Sequence, residues 1–370
     1  MDVTFQNSYN HSYNYNNSYS YNDSYSYNYS YGSNDSDVYD YSDYYDNNKT
    51  YDDGCHKTEV IHFGAVVTPV IFAMVIMFSC VGNALVLLVL IKYENLKSLT
   101  NTFHLNLAIS DLIFIIGLPF WAIDLVWGWI FGDVICKLVN FIFYLGYYSS
   151  LLFLTIMTMH RYMAVVHPLS VHWNSTSYHS FGISAFIWFL SFCAATPQYI
   201  FKTAATTDGR DYCDYNNITW KLFSIYEQNV FFLTAFFTIA FCYSRILGRL
   251  LKPMSHRRPK TIRLILCIVI AFYLGWTPYN VSMFLSSLIS FHIAPFNDCH
   301  VSTALDFVST VSRLVAFSHC CLNPMFYVFM GVKFRDHLKT ALKNFCRKDN
   351  QLKDRRQSHL IYSNGEEITL

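Results

Sequence analysis

Residues 65–91 read AVVTPVIFAMVIMFSCVGNALVLLVLI, a run of 27 residues without a single Asp, Glu, Lys or Arg. A helix of that length extends about 40 Å, which exceeds the roughly 30 Å hydrocarbon core of a bilayer. A helix satisfies its own backbone hydrogen bonds, as any single segment inside lipid must. This stretch therefore predicts a transmembrane helix.

Six more apolar stretches of similar length follow the first. The predicted spans are residues 65–91, 101–126, 134–165, 180–200, 222–250, 262–290 and 301–329. The composition agrees, because only 14% of the residues are charged, against about a quarter in soluble domains. We predict an all-α membrane protein in which residues 64–330 form a seven-transmembrane helix bundle.

Charges are distributed unevenly along the chain. Lys and Arg cluster after span one, between spans five and six, and after span seven. The positive-inside rule places these segments in the cytoplasm and the N-terminus outside the plasma membrane. Residues 1–63 hold ten acidic residues and two lysines, so they carry −8 and the remainder carries +9. No basic domain stands apart from the apolar spans, so nucleic-acid binding is not expected.

Residues 1–63 are low in complexity and too polar to form a core. They predict a disordered, glycosylated extracellular arm, although repeat expansion without a function of its own would give the same pattern. No charged start and apolar run precede this arm, so the first span is expected to direct membrane insertion. The predicted glycosylation sites are Asn10, Asn16, Asn22, Asn28, Asn34 and Asn48. Several arm tyrosines lie beside Asp, a context that favours sulfation but that also suits plain solvated sequence: Tyr39, Tyr41, Tyr44, Tyr45 and Tyr51.

Four of the eleven cysteines lie on the predicted outer side: Cys55, Cys136, Cys213 and Cys299. In an oxidising compartment four cysteines indicate two disulfides, with three possible pairings. The six cysteines inside the spans are expected to be apolar fillers. No Cys-x-x-Cys pair or His cluster predicts a metal site.

Residues 331–370 predict a short amphipathic cytoplasmic helix and a tail. Apolar residues recur there at helical spacing with Lys and Arg between them: Phe334, Leu338, Ala341, Leu342 and Phe345. Such a helix lies on the inner leaflet with its basic face toward anionic lipid. Cys346 follows it and is a candidate palmitoylation site.

Polar residues also occur inside the spans. Asp111 lies in the middle of span two, where a carboxylate costs about 2.5–3.5 kcal/mol and needs partners. Asn83, Ser150 and Asn323 lie at comparable depths on other spans. Together these residues could hold a small cation such as sodium, or form a hydrogen-bond network that only joins the helices.

Two further features concern the length and the shape of the spans. Cys136 and Arg161 are 25 residues apart, or about 38 Å of helix, so they should lie at opposite membrane surfaces. This position alone implies no functional role for Arg161, because a long basic side chain at a helix end can simply place its charge in the water at the inner membrane surface. Pro119, Pro278 and Pro324 are expected to interrupt their spans, because each frees a backbone carbonyl and permits a kink.

These motifs resemble those of rhodopsin-like G-protein-coupled receptors. They occur in order along residues 65–346: Gly82-Asn83, Asp111, Cys136, His160-Arg161-Tyr162, Trp188, Trp276-Thr277-Pro278 and Asn323-Pro324-Met325-Phe326-Tyr327. Segments 118–121 (LPFW), 129–132 (WIFG) and 318–324 (SHCCLNP) are similar to the chemokine-receptor branch. Within that branch, segments 154–162, 213–215 and 331–335 and Arg313 resemble the XC type, the receptors for lymphotactin.

The resemblance implies disulfide pairings and a ligand site. The pairs would be Cys136–Cys213 and Cys55–Cys299. The arm tyrosines and outer loops would grip the folded chemokine. Its N-terminus would enter among four side chains: Trp121, Phe143, Tyr279 and Arg313.

The resemblance also implies a route of activation. Pressure near Trp276 would rearrange the proposed sodium site, which comprises Asp111, Ser150 and Asn323. The residues expected to act in activation and G-protein coupling are His160, Arg161, Tyr162, Tyr243, Trp276, Pro278, Asn323, Pro324 and Tyr327. The implied partners are a chemokine, an inhibitory-class G protein, arrestin and the lipid bilayer, with calcium mobilisation and chemotaxis as the response. No cofactor is implied beyond an allosteric sodium ion.

Three positions depart from the pattern. His160 stands where most relatives have an Asp that pairs with the following Arg, so the resting clamp on Arg161 should be weaker. Ala235 replaces a proline of span five, so that helix should be straighter. Arg313 replaces a Glu and either pairs with an outer-loop Asp (Asp124 or Asp306) or meets an acceptor group on the chemokine.

Other classes fit the sequence less well. A light receptor needs a Schiff-base lysine in span seven, and residues 301–329 contain none. An amine receptor needs Asp where Phe143 stands, and no nucleophile–base set indicates an enzyme. The alternative that stays open is a scavenging receptor, which internalises chemokine without G-protein signalling.

Overall fold

The computed structural model describes residues 58–96, 98–167, 177–207, 210–250, 260–296, 298–330, 334–340 and 343. The predicted glycosylation sites from Asn10 to Asn48, the arm tyrosines, Cys55 and Cys346 lie outside these residues. The elements are α1 (Thr58–Tyr93), α2 (Leu99–Ile115), α3 (Leu118–Trp127), α4 (Gly132–Val166), α5 (Ser177–Phe201), β1 (Lys202–Thr207), β2 (Arg210–Tyr215), α6 (Ile218–Leu250), α7 (Lys260–Ile289), α8 (Cys299–Phe317) and α9 (His319–Met330).

Seven helical spans in the described part of the chain are long and apolar enough to cross a membrane. They are Glu59–Tyr93, Leu99–Trp127, Gly132–Val166, His179–Phe201, Ile218–Arg249, Ile265–Ile289 and Cys299–Met325. Large apolar side chains on α5, including Phe181, Phe186 and Phe189, are exposed, as expected where a helix faces lipid. The predicted seven-helix membrane fold is confirmed.

The third span, α4, is the most buried of the seven. Tyr147, Tyr148 and Leu151 have at most 1% of their surface exposed. Helix α2 approaches α4 so closely at Gly146 that a Cβ there would lie 2.6 Å from the backbone nitrogen of Phe114. The centre of the bundle is therefore built on a helix contact that requires glycine.

Proline divides the second span, as the sequence predicts. Helix α2 ends at Ile115, and Pro119 lies in the first turn of α3. Pro119 has no N–H to donate to the carbonyl four residues earlier, but it suits the start of a helix. The new segment α3 carries Trp121 toward the outer end of the bundle.

The expectation for the other two prolines was wrong in one respect. Pro278 and Pro324 lie inside α7 and α9 and end neither helix. The seventh span instead divides at Ser318, between α8 and α9. Pro324 still frees the carbonyl of Cys320, which accepts a hydrogen bond of 2.9 Å from Asn83 Nδ2. The Asn83 side chain of α1 thus supplies the hydrogen-bond donor that Pro324, which has no backbone N–H, cannot provide.

A two-stranded antiparallel hairpin, β1–β2, precedes α6 and was not predicted. Lys202 pairs with Tyr215 at one end of the hairpin, and Ala204 pairs with Cys213 in the middle. The disulfide Cys136–Cys213 ties the second strand to the start of α4, so this predicted pairing is confirmed. Cys299 is also disulfide-bonded, and its predicted partner Cys55 lies outside the described residues.

Residues 334–340 beyond α9 are helical. The Phe334 ring lies 5.8 Å from the Tyr327 ring, while Arg335 and Lys339 are exposed. The part of the predicted amphipathic helix that is described thus has an inward apolar side and an outward basic side. Residues 341, 342 and 345 of the predicted pattern lie outside the described residues.

Candidate functional site

The hairpin is attached to the start of α4. Asp133 Oδ1 at the start of α4 accepts hydrogen bonds from the Ala204 amide at 3.0 Å and the Thr203 hydroxyl at 2.8 Å. Trp129 donates its backbone N–H to the Asp211 carbonyl at 2.9 Å. With the disulfide, these bonds hold the hairpin to the start of α4.

The base of the hairpin is charged and well paired. Lys221 Nζ lies 3.0 Å from Asp214 Oδ2. Lys202 Nζ donates to Asn140 Oδ1 at 2.8 Å and lies 4.8 Å from the centre of the Tyr215 ring. Burial lowers the pKa of Lys202 to about 8, although the Asp214 carboxylate opposes this shift. Burial raises the pKa of Asp214, but the Lys221 and Lys202 ammonium groups outweigh that effect and bring it below the usual value.

The four side chains predicted to meet the ligand lie around one aromatic cluster. The Trp121 and Phe143 rings are 4.3 Å apart. Phe317 lies 5.1 Å from Phe143 and 5.9 Å from Tyr279. Arg313 lies on α8 one turn before Phe317. The cluster joins α3, α4, α7 and α8 below the outer end of the bundle.

Phe317 connects this cluster, and the sequence analysis did not single it out. It is 1% exposed and packs at 5.8 Å from Trp276 as well as on the rings named above. Arg313 and Phe317 are four residues apart, so they share one face of α8. This spacing of four residues is the feature of the sequence that could have identified Phe317 as a site residue.

Arg313 has an unsatisfied group in this pocket. Its Nε is buried without a hydrogen-bond partner among the described residues. No described carboxylate lies within 4 Å of its guanidinium, so neither Asp124 nor Asp306 forms the ion pair considered above. This geometry favours a ligand acceptor over a structural partner.

The polar core also assembles as expected around Asp111, which is fully buried. Asn323 Nδ2 donates to Asp111 Oδ2 at 2.7 Å, and Ser150 Oγ donates to Oδ1 at 3.3 Å. Asn83 instead bonds to Ser79 and the Cys320 carbonyl. The structure therefore brings three of the four predicted side chains into direct contact.

His319 joins the polar core to the aromatic cluster, a role that the sequence analysis missed. Its Nε2 lies 3.8 Å from Asp111 Oδ1, and its ring lies 5.4 Å from Trp276. The break at Ser318 lets Nδ1 contact the Ala316 carbonyl at 2.7 Å. The His319 side chain therefore lies between Trp276 and Asp111, so a movement of Trp276 can reach Asp111 through His319.

At the other end of α4, Arg161 is held by a neutral group. Its guanidinium donates to Thr100 Oγ1 of α2 at 3.1 Å, and its Nε is buried without a partner in the described structure. No described carboxylate lies within ion-pairing distance of Arg161. Tyr243 on α6 is near enough to affect its electrostatics.

Tyr327 is held by a histidine of α2. Its hydroxyl lies 2.6 Å from His104 Nδ1, and the two rings meet edge to face at 5.1 Å. His104 is 6% exposed and was not predicted as a site residue. It precedes Asp111 by seven residues, two turns of helix, so its position on the inner face of span two was readable from the sequence.

Comparison with known proteins agrees with this arrangement. Residues 82–327 match the family of seven-transmembrane receptors of the rhodopsin type. The chain belongs to this family and, within it, to the chemokine receptors, which are receptors and not enzymes. It is accordingly a multi-pass protein of the plasma membrane.

The chain is similar to individual members over most of their length. Chemokine XC receptor 1 of Homo sapiens is 45% identical over 287 residues, which cover 77% of this chain and 84% of the relative. C-C chemokine receptor type 8 of Homo sapiens is 38% identical over 76% of this chain and 81% of its own. Atypical chemokine receptor 2 of Mus musculus is 32% identical over 79% of both.

Proposed function

We propose that this receptor binds an XC-type, lymphotactin-like chemokine and signals through an inhibitory-class G protein to calcium mobilisation and chemotaxis. The observation that carries the proposal is the cytoplasmic end of α4. Arg161 is restrained by one hydrogen bond, which its guanidinium donates to the neutral Thr100 hydroxyl. A single hydrogen bond with a charged partner contributes about 1.5–3 kcal/mol, so a bias of that size from bound ligand can release the arginine.

The ligand would approach from the side of the hairpin. Disulfides form in oxidising compartments, and Cys136 lies at the end of α4 opposite to Arg161. This supports an extracellular N-terminus and a cytoplasmic Arg161. A chemokine held by the acidic arm could then insert its N-terminus among Trp121, Phe143, Tyr279 and Arg313.

Activation is a shift between populations, because the ligand must bind the active form more tightly than the resting form. Pressure on the aromatic cluster would move Trp276 and, through His319, alter the contacts of Asp111. Rearrangement of Asn323 would reach Tyr327 in the same helix, α9. The cytoplasmic pocket would then open toward the G protein, and arrestin would follow as a second partner.

Scavenging without signalling is the second candidate function. His160 in place of the usual Asp favours it, as does the 32% identity to an atypical chemokine receptor. Calcium and cyclic-AMP responses of transfected cells, measured across the chemokine subclasses with and without a toxin that inactivates inhibitory G proteins, distinguish the two. Toxin-sensitive responses are expected. Chemokine uptake without a calcium or cyclic-AMP response would instead establish the scavenging function.

His160→Asp is expected to lower ligand-independent signalling several-fold. The new carboxylate would pair with Arg161, which has no carboxylate neighbour among the described residues, and couplings of this kind are about 1–3 kcal/mol. Basal G-protein activation at matched surface expression measures the effect. His160→Asn is the control, because it shortens the side chain without adding charge. If His160→Asp and His160→Asn have equal basal activity, the proposed pairing of the new carboxylate with Arg161 is refuted.

We further propose that Asp111, Ser150 and Asn323 form an allosteric sodium site. Asp111 Oδ1 and Ser150 Oγ are oxygen ligands 3.3 Å apart, and Asn83 Oδ1 is a buried oxygen with no partner in the described chain. Sodium should lower agonist affinity in the wild type, and Asp111→Asn should make that affinity indifferent to sodium. Binding in sodium chloride against choline chloride at equal ionic strength tests this. A sodium effect that survives the substitution would rule out Asp111 as the ligand.

A further inference from the structure

Glu227 is an acidic side chain inside the upper part of the bundle. It lies on α6, one turn inward from Ser224, which accepts a hydrogen bond of 2.7 Å from the Tyr215 hydroxyl of the hairpin. Phe231, one turn further along the same face of α6, packs at 4.9 Å on the Tyr148 ring of α4. Glu227 therefore occupies the side of α6 that faces α4, just below the hairpin.

The Glu227 carboxylate has no counter-charge among the residues that the structure describes. Its Oε2 is buried and makes no hydrogen bond within the described structure, and no described Lys, Arg or His lies within 4 Å of it. The two nearby lysines of the hairpin region are engaged elsewhere: Lys221 with Asp214, and Lys202 with Asn140. Glu227 is partly exposed, but a carboxylate oxygen that is buried without a partner is costly.

The surroundings of Glu227 suit a cation. Tyr148 packs on Phe231, which lies one turn from Glu227 on α6, and the Tyr148 hydroxyl is also buried without a partner in the described chain. Tyr144 lies 6.0 Å from Tyr148. A carboxylate flanked by tyrosine rings is a binding site for an ammonium group, which gains both an ion pair and cation–π attraction.

Glu227 and Arg313 stand at the two ends of one aromatic row. Tyr148 packs on Tyr147 at 5.2 Å, Tyr147 on Trp276 at 4.4 Å, and Trp276 on Tyr279 at 5.7 Å. Glu227 lies on α6 one turn from Phe231, which packs on the first ring, and Arg313 lies on α8 one turn from Phe317, which packs on the last ring. The pocket thus carries a negative charge toward α4 and α6 and a positive charge toward α7 and α8, and the two do not neutralise each other.

We infer that Glu227 is the counter-ion for the α-ammonium group of the ligand's N-terminus, while Arg313 meets an acceptor oxygen further along the same segment. The inference rests on the proposed chemokine ligand. It adds that the N-terminus of the chemokine lies with its ammonium group toward Glu227 and the following residues toward Arg313. At an N-terminus a free ammonium group and backbone carbonyl oxygens necessarily occur within a few ångströms of each other. A pocket with separated charges of opposite sign therefore fits it.

The test compares one chemokine in two forms, synthetic lymphotactin with a free and with an acetylated N-terminal amine. Affinity is measured by competition binding on the intact receptor, so a receptor that binds without signalling still gives an answer. In the wild type, acetylation should weaken binding about tenfold to a hundredfold, because it removes the ammonium charge. In Glu227→Gln, free lymphotactin should bind more weakly, and acetylation should change affinity by less than about twofold.

Three further variants complete the comparison. Glu227→Met removes the buried charge with an apolar chain of similar length and serves if the Gln variant is poorly expressed. Glu227→Asp retains the charge and should recover part of the sensitivity to acetylation. Asp211→Asn is the matched control, because it removes one negative charge from the exposed part of β2 and should respond to acetylation like the wild type.

Each outcome decides the inference. An equal loss on acetylation in the wild type and in both neutral Glu227 variants would overturn the role of Glu227 while leaving the chemokine ligand intact. A wild type whose affinity is unaffected by acetylation would do the same. A wild type that binds no chemokine of any subclass would overturn the proposed ligand and, with it, this inference.

Discussion

Arg313→Glu is expected to reach the cell surface and to lose its response to a lymphotactin-like chemokine by at least about a hundredfold. The Arg313 guanidinium lies at the aromatic pocket with its Nε unpaired in the described structure. A hydrogen bond to a charged group contributes about 1.5–3 kcal/mol, or roughly ten- to a hundredfold in affinity. Reversing the charge adds repulsion of the acceptor that the arginine would bind.

The measurement is chemokine potency in calcium and cyclic-AMP assays at matched surface density. Arg313→Lys is the control, because it retains the charge without the planar fork and should lose less potency than the Glu variant. Unchanged potency of Arg313→Glu, or a loss explained wholly by failed expression, would return Arg313 to a structural role.

Gly146→Ala is expected to destabilise the receptor, and Gly146→Val should largely abolish surface expression. An added Cβ would lie 2.6 Å from the Phe114 nitrogen and 2.7 Å from its Cα, and backbone atoms of a packed helix cannot turn away as a side chain can. Overpacking typically costs about 1–3 kcal/mol, and the larger valine must separate α2 from α4 further. Both helices carry members of the polar core, Asp111 and Ser150, one turn from this contact.

Thermal unfolding in detergent and surface expression measure this effect. Gly182→Ala on α5 is the control, since a Cβ there meets nothing within 4 Å and alanine favours a helix. Gly146→Ala with an unfolding temperature equal to that of Gly182→Ala would contradict the close contact.

The number, order and approximate limits of the spans could be predicted from the sequence. Lipid provides no hydrogen-bond partners, so each crossing needs its own uninterrupted apolar segment. The span predicted at 65–91 lies inside α1, and that predicted at 134–165 lies inside α4. The helix break at Pro119 could also be predicted from the sequence, because the missing N–H of a proline affects only residues of its own helix.

The candidate site was predictable only in part. Trp121, Phe143, Tyr279, Asp111 and Asn323 were recognised by their motifs, and the structure brings them into two adjoining clusters. Phe317, His319 and His104 were missed, because each owes its role to partners on other helices. His104 meets Tyr327 across 223 residues of sequence, and no local pattern indicates that contact.

The sequence by itself determined that this is a seven-span membrane receptor with basic segments after spans one, five and seven and a rhodopsin-like motif on most of its helices. Hydrophobicity, charge and proline act over a few residues at a time, so they can be read along the chain. Only the tertiary structure decided which charges stay unpaired. Glu227 and Arg313 are ordinary ionisable residues in the sequence, and they become distinctive because folding buries one polar atom of each without a hydrogen-bond partner among the described residues. Pairing and burial are properties of the packed helices, since they depend on which side chains meet across the bundle.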